Sequence, residues 1–233
     1  MPEEKTLNHR YEMVLSRIGE AESAAGRALG STQLLAVSKT RSADEIRALA
    51  QLGQLQFGEN YLQEAEEKID QLQDLALEWH FIGRIQSNKT RPIAERFGWV
   101  HSLASLKHAK RLSEQRPAQL PPLNICLQVN TSGEASKDGY APEELEAVIG
   151  DYAALPNLRL RGLMTIPAPT EGAREQHRPF QLLRRLRDQL ATPDHPLDTL
   201  SMGMSDDLEA AIAEGSTIVR IGTAIFGPRA YNR

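Results

Sequence analysis

Leu34-Leu35-Ala36-Val37-Ser38-Lys39-Thr40-Arg41-Ser42-Ala43-Asp44-Glu45-Ile46 contains a complete change of period. It opens on a short apolar run of strand length. Ser42 then stands three residues before Glu45, the spacing of a capping box, and Ile46, Leu49 and Ala50 follow at helical intervals. A strand thus gives way to a helix within a few residues, and the same change recurs along the chain. Further strands are predicted over 55–57, 79–82, 99–102, 124–129, 158–166, 198–201 and 217–221.

Helical patterns lie between them. Leu62, Ala65, Ile69 and Leu72 form one stripe over 61–75, and Pro142 opens a helix at its first turn. Phe180, Leu183, Leu186 and Leu190 repeat at three or four residues over 171–190. Ser205 is a suitable N-cap for a helix over 206–213 that Gly215 ends. A further helix over 7–28 precedes the first strand. Eight strands alternating with helices predict an α/β protein, a (β/α)8 TIM barrel with an extra N-terminal helix. The first strand-to-helix turn lacks Gly-x-Gly-x-x-Gly, which disfavours a dinucleotide-binding open sheet. No Pro/Gly/Ser linker divides the chain, so 1–233 is expected to be a single domain.

Composition narrows the function classes. The chain has 233 residues, 40% hydrophobic and 25% charged, which excludes wholesale disorder, collagen and coiled-coil rods. A net charge of -4 supplies no field for nucleic acid or an anionic membrane. Arg184-Arg185-Leu186-Arg187 lies on the helix striped by Phe180 and Leu183 and reads as a solvated face. Cys126, the one cysteine, sits in an apolar run and reads as a small buried hydrophobe. The N-terminus lacks an apolar signal segment, and no stretch approaches the roughly 20 apolar residues of a membrane span. A cytoplasmic protein is expected. No histidine pair has zinc-site spacing, so no metal is expected. Pro228-Arg229 stands where a P-loop needs Lys-Ser/Thr.

In such a barrel the strand C-termini build the functional face. Lys39 follows the first strand, and an amine held above low-dielectric walls attacks carbonyls to form a Schiff base. Position alone favours a strand-end lysine that reaches solvent. Ser201, with the loop that follows it, and Gly222-Thr223 end the last two strands, where this fold often holds phosphate. A glycine turn with a helix cap accounts equally well for them. A lysine beside a phosphate cradle suits pyridoxal 5'-phosphate (PLP), and Arg220, a charge within an apolar run, suits its ring nitrogen. An arginine does not take up the ring proton, so the ring stays a weak electron sink.

At these residues the chain resembles the pyridoxal phosphate homeostasis protein family. The resemblance is carried by Ala36-Val37-Ser38-Lys39-Thr40, Phe57-Gly58-Glu59-Asn60-Tyr61 and Trp79-His80-Phe81-Ile82-Gly83. It continues through Gln86-Ser87-Asn88-Lys89, Arg161-Gly162-Leu163-Met164, residues 200–207 and residues 220–227. The resemblance implies a barrel similar to the alanine racemase N-terminal domain, with Lys39 as Schiff-base lysine. It implies Ser201, Gly222 and Thr223 at the phosphate, Arg220 at the pyridine nitrogen and Asn60 beside the cofactor. Lys137 also fits a family motif, read either as a second cofactor-handling amine or as a solvated loop lysine. Arg84 and Arg41 depart from common family residues, proline and lysine, without touching the lysine or the cradle.

The family is regarded as a PLP carrier without established catalysis, so PLP homeostasis or delivery to PLP-dependent apoenzymes is expected, with no catalytic residues. The alternative is a racemase-like PLP enzyme, which needs a second base on the far face of the cofactor; Tyr61 or His80 would have to serve. The chain ends six residues after Gly227, so a racemase's second domain is expected to be absent. No apolar stripe demands a second copy, and a monomer is expected.

Overall fold

The computed structural model describes residues 6–133, 138–170 and 172–228. Among them eight strands run parallel: β1 (Gln33–Val37), β2 (Gln56–Glu59), β3 (Glu78–Phe81), β4 (Trp99–Leu103), β5 (Leu123–Gln128), β6 (Leu158–Met164), β7 (Thr199–Ser201) and β8 (Ile218–Ile221). They pair in chain order and β8 returns to β1, so the sheet closes. The expected (β/α)8 barrel is the observed fold.

Alternation along each strand separates two environments. Leu34 and Ala36 of β1, Phe81 of β3 and Val219 of β8 belong to the main buried layer, between sheet and helices. Leu35, Ile82 and Ile218 form a small cluster inside the barrel, and Trp99, Cys126 and Met164 another. Between these two inner clusters lie buried polar side chains, His80, His101, Ser201 and Arg220.

The helices are α1 (Leu7–Ala24), α2 (Ala43–Gln51), α3 (Leu62–Gln71), α4 (Thr90–Arg96), α5 (Leu106–Gln115), α6 (Leu145–Ala153), α7 (Ala173–Leu190), α8 (Leu208–Ala213) and α9 (Thr223–Phe226). The extra helix α1 packs on α8 and α9. Its Arg10 Nε donates to the Ile225 carbonyl at 2.6 Å. It ends at Ala24, before the expected residue 28, because buried Glu22 accepts the backbone N–H of Gly30 and Thr32 and turns the chain into β1. A single 3-10 turn, Pro142–Glu144, precedes α6.

Two helices, α4 and α5, had no counterpart in the expected pattern. The first is a short helix with Pro92 in its first turn, and the second buries only Ala109, Leu112 and Ser113. A second correction concerns α8, which starts at Leu208 with Asp207 in the cap position. Asp207 Oδ1 accepts the Met204 N–H at 2.6 Å and closes the turn, so Ser205 does not cap the helix. Arg184 pairs with Glu214 at 3.2 Å and Arg187 with Asp188 at 2.6 Å on α7. No helix among the described residues is long and apolar enough to cross a membrane.

The capping box read from the sequence is present. Ser42 Oγ accepts from the Glu45 N–H at 3.2 Å, and Glu45 Oε2 accepts from the Ser42 N–H at 2.9 Å. Ser42→Ala is expected to lower stability by about 1 kcal/mol and Ser42→Gly by only a few tenths. Urea denaturation midpoints of the two variants check the ranking.

Candidate functional site

The turn after β1 carries Lys39 and is held from three sides. Ser38 Oγ donates to Glu59 Oε1 at 2.6 Å, from the end of β2. Lys68 of α3 donates to the Ser38 carbonyl at 2.7 Å and to Glu59 Oε1 at 2.8 Å. Glu64, one helical turn before Lys68, accepts from Lys68 and also from the Thr40 N–H. Thr40 has φ 64°, a left-handed conformation that a β-branched residue adopts only when its surroundings impose it. Here the bond from its N–H to Glu64, the Arg41 N–H to Ser38 carbonyl bond and the Lys68 clamp impose it. The clamp fixes where the Lys39 side chain leaves the backbone.

Glu59 is fully buried, and burial pushes its carboxyl above the usual carboxylate range against the opposing pull of Lys68. Burial is the stronger influence, and Lys68 is the cation that offsets it.

The opposite wall comes from β7, β8 and the loops after them. Arg220 is buried, with Nη1 donating to Ser201 Oγ at 2.7 Å and Nη2 to the Thr165 carbonyl at 2.8 Å. Burial lowers its pKa to about 10, opposed by the charge of Asp207. Gly222 follows β8 so closely against β1 that a Cβ there would lie 3.2 Å from the Val37 carbonyl oxygen. Gly83, after β3, is tighter still, because a Cβ would lie 2.0 Å from the Asn60 carbonyl oxygen. Only glycine lets the β3 loop pass behind Asn60 and leave that residue facing the cleft.

Between these walls is a cleft of about 480 Å³ at the C-terminal face of the barrel. Lys39, Asn60, Arg220, Gly222 and Thr223 all line it. Ser201 does not; it is fully buried beneath, its hydroxyl engaged by Arg220 and by His101. Ser205, from the loop after β7, lines the cleft instead. Lys137 lies outside the described residues. Tyr61 is exposed and His80 fully buried, and neither lines the cleft.

Arg17 of α1 and Arg41 also reach the cleft, so Lys39 and three arginines face it with Asp206 as the one carboxylate among its lining residues. Arg17 donates to the Ser205 carbonyl at 3.1 Å and to Glu209. Arg41 donates to the Gly227 carbonyl at 2.6 Å and ties the β1 loop to the end of α9. Neither was legible as a site residue, because each looks like an ordinary polar residue within or before a helix. Asn60 Oδ1 is buried at the cleft without a hydrogen-bond partner.

Burial raises the Cys126 thiol to about 12, which keeps it protonated inside the barrel. Among the described residues no group of three or more His, Cys, Asp and Glu side chains is arranged to hold a metal ion.

Residues 17–230 match the family described as alanine racemase, N-terminal domain. The chain is 61% identical over 226 residues to the pyridoxal phosphate homeostasis protein of Pseudomonas aeruginosa, covering 97% of each. It is 50% identical over 233 residues to the Escherichia coli K12 protein of that name, covering 97% of this chain and 98% of the relative. PipY of Synechococcus elongatus PCC7942, solved without PLP, is 39% identical with a TM-score of 0.81, over 90% of this chain and all (100%) of PipY. Its form with PLP bound gives a TM-score of 0.77 at 37% identity over the same shares of the two chains, 90% and 100%. Alanine racemase from Corynebacterium glutamicum shares the fold at 19% identity and a TM-score of 0.67, with this chain covering 62% of it and 95% of this chain matched.

Lys68→Met is expected to destabilise the chain at neutral pH by about 3–5 kcal/mol, the cost of stranding a buried carboxylate. The folded pKa of Glu59 already lies above its unfolded value and rises further without Lys68. The variant's loss is therefore full above that folded pKa and shrinks as pH falls through it. Denaturant melts of both chains between neutral and acid pH test this, and a loss independent of pH contradicts it.

Proposed function

The chain belongs to the pyridoxal phosphate homeostasis protein family, and from that premise we propose that it binds PLP in the barrel-top cleft, with Lys39 as covalent anchor. In this reading it holds the cofactor for PLP-dependent apoenzymes and has no catalytic residues. One observation carries the proposal: a single cleft joins a lysine amine to three arginines, with one carboxylate among its lining residues.

The residues present fit the chemistry of the group. A dianionic phosphate suits the cationic rim, and Ser205, Gly222 and Thr223 offer hydroxyls and close backbone approach to it. The orphaned Asn60 amide oxygen calls for a donor, and PLP carries a hydroxyl beside its aldehyde. Arg220, fixed by Ser201 and Thr165, would meet the ring nitrogen and, being only a donor, would leave that nitrogen unprotonated. Bound PLP would supply an aldehyde able to condense with an amine, with loss of water. The clamp formed by Lys68, Glu59 and Glu64 presents the Lys39 amine, and Ser201 acts through Arg220 rather than at the phosphate.

Non-catalytic holding is favoured over racemisation by the placement of Tyr61 and His80 away from the cleft. A base on the second face of the cofactor would have to come from one of them. PLP bound by a PipY relative supports the cofactor assignment, and the name shared by the curated relatives supports the homeostatic role.

Borohydride treatment of the PLP-loaded chain followed by peptide mass spectrometry is expected to place the reduced adduct on Lys39. Lys39→Ala is expected to lose both that adduct and the long-wavelength absorbance of the loaded protein. An adduct mainly on another lysine, or undiminished absorbance in Lys39→Ala, overturns the anchor. Transfer of PLP to an apoenzyme tests delivery, and D-amino acid formation at enzyme-like rates would favour the racemase reading.

A further inference from the structure

A chain of buried polar side chains runs beneath the cleft to the opposite mouth of the barrel. Arg220 Nη1 donates to Ser201 Oγ at 2.7 Å, and Ser201 Oγ lies 2.7 Å from His101 Nδ1. His101 Nε2 lies 2.9 Å from His80 Nδ1. His80 Nε2 then faces Glu78 Oε2 at 3.4 Å, an ion-contact distance outside hydrogen-bond geometry. Ser201, His101 and His80 are fully buried, whereas the Glu78 side chain, at the start of β3, is 42% exposed.

One arrangement of protons satisfies every hydrogen bond of the chain and turns its last N–H toward the carboxylate. A serine hydroxyl has one proton to give, and a neutral imidazole has one donor and one acceptor nitrogen. Burial lowers the pKa of both histidines and keeps them neutral. Arg220 only donates, so Ser201 accepts from it and passes its own proton to His101 Nδ1. His101 then carries its proton on Nε2 and donates to His80 Nδ1, and the His80 Nε2–H points at the Glu78 carboxylate. The reverse order leaves the Ser201 proton without an acceptor among its bonds and turns a bare nitrogen lone pair toward that carboxylate.

Glu78 is itself held in place. The Trp99 indole N–H and the Gln56 amide each donate to it at 3.0 Å, and Trp99 stacks on His80 at an interplanar angle of 4°. The negative end of the chain is therefore as fixed as the positive end.

We infer that Glu78 reinforces the direction that Arg220 imposes on this relay, and that Glu78, His80 and His101 are positioning residues that act on Arg220 through Ser201. A carboxylate at the far mouth draws the imidazole protons toward itself, keeps His101 Nδ1 an acceptor for the Ser201 proton, and so helps hold Ser201 in the rotamer that receives the guanidinium lining the cleft. Only the link to cofactor affinity rests on the PLP reading of the cleft.

The test is nitrogen-15 NMR of the imidazoles in the PLP-free chain, paired with PLP titration of the wild type and Glu78→Gln. The wild type is expected to show His80 and His101 both protonated on Nε2. Glu78→Gln keeps an acceptor for Trp99 while removing the charge. Both histidines are then expected to move toward averaged nitrogen shifts, and PLP affinity to fall roughly 2- to 30-fold, the range for coupling through buried networks. A wild-type His101 protonated on Nδ1, or identical imidazole spectra in the two chains, overturns the inference. Changed spectra with unaltered affinity overturn the link to Arg220. Expected tautomers in chains that bind no PLP support the relay and count against the PLP reading instead.

Discussion

The pairing of β1 with β8, in the register Leu35 to Arg220 and Ala36 to Ile221, is the constraint on which the cleft depends. It closes the sheet and brings the end of the first strand against the end of the last. Lys39 and Gly222-Thr223 face one cleft for that reason, although most of the chain separates them. Gly222 permits the approach, since a larger residue would press on Val37. The extra helix α1 reinforces the seam by packing on α8 and α9 and lending Arg17 to the rim.

Two buried polar assemblies then fix the walls. On the β1 side, Lys68 and Glu59 hold the strained turn that presents Lys39. On the β8 side, Ser201 and Thr165 hold Arg220, and the histidines beneath continue that order through the barrel. Charges buried this deeply add little net stability, because desolvation offsets attraction. Their value is geometric: each has few alternative partners, so each side chain it touches has one position. The barrel interior gives up apolar packing to hold two cleft residues rigidly.

Much of this was legible in linear order. The strand-to-helix alternation, the Ser42 capping box and the strand-end placement of Lys39, Asn60, Arg220, Gly222 and Thr223 all follow from local pattern. Helices α4 and α5 were not legible, because a short helix with an early proline and a mostly polar ten-residue helix have weak periodic signals. Ser201 and Ser205 look alike in sequence, both polar and both near the end of β7. The strand's inward parity sends the first beneath the cleft, and the Asp207 turn leaves the second at its edge.

Sequence alone determined the barrel, because alternating periods of two and 3.6 within short connections leave few ways to bury every apolar face. It also placed Lys39 and the residues that end the last strand together, since strand ends in this fold share one face. Tertiary structure alone decided which charges meet. Arg17 joins the rim from a helix that precedes the barrel, and Glu78 faces His80 at the opposite mouth. Such contacts depend on how distant segments pack in three dimensions, and spacing along the chain carries no record of them.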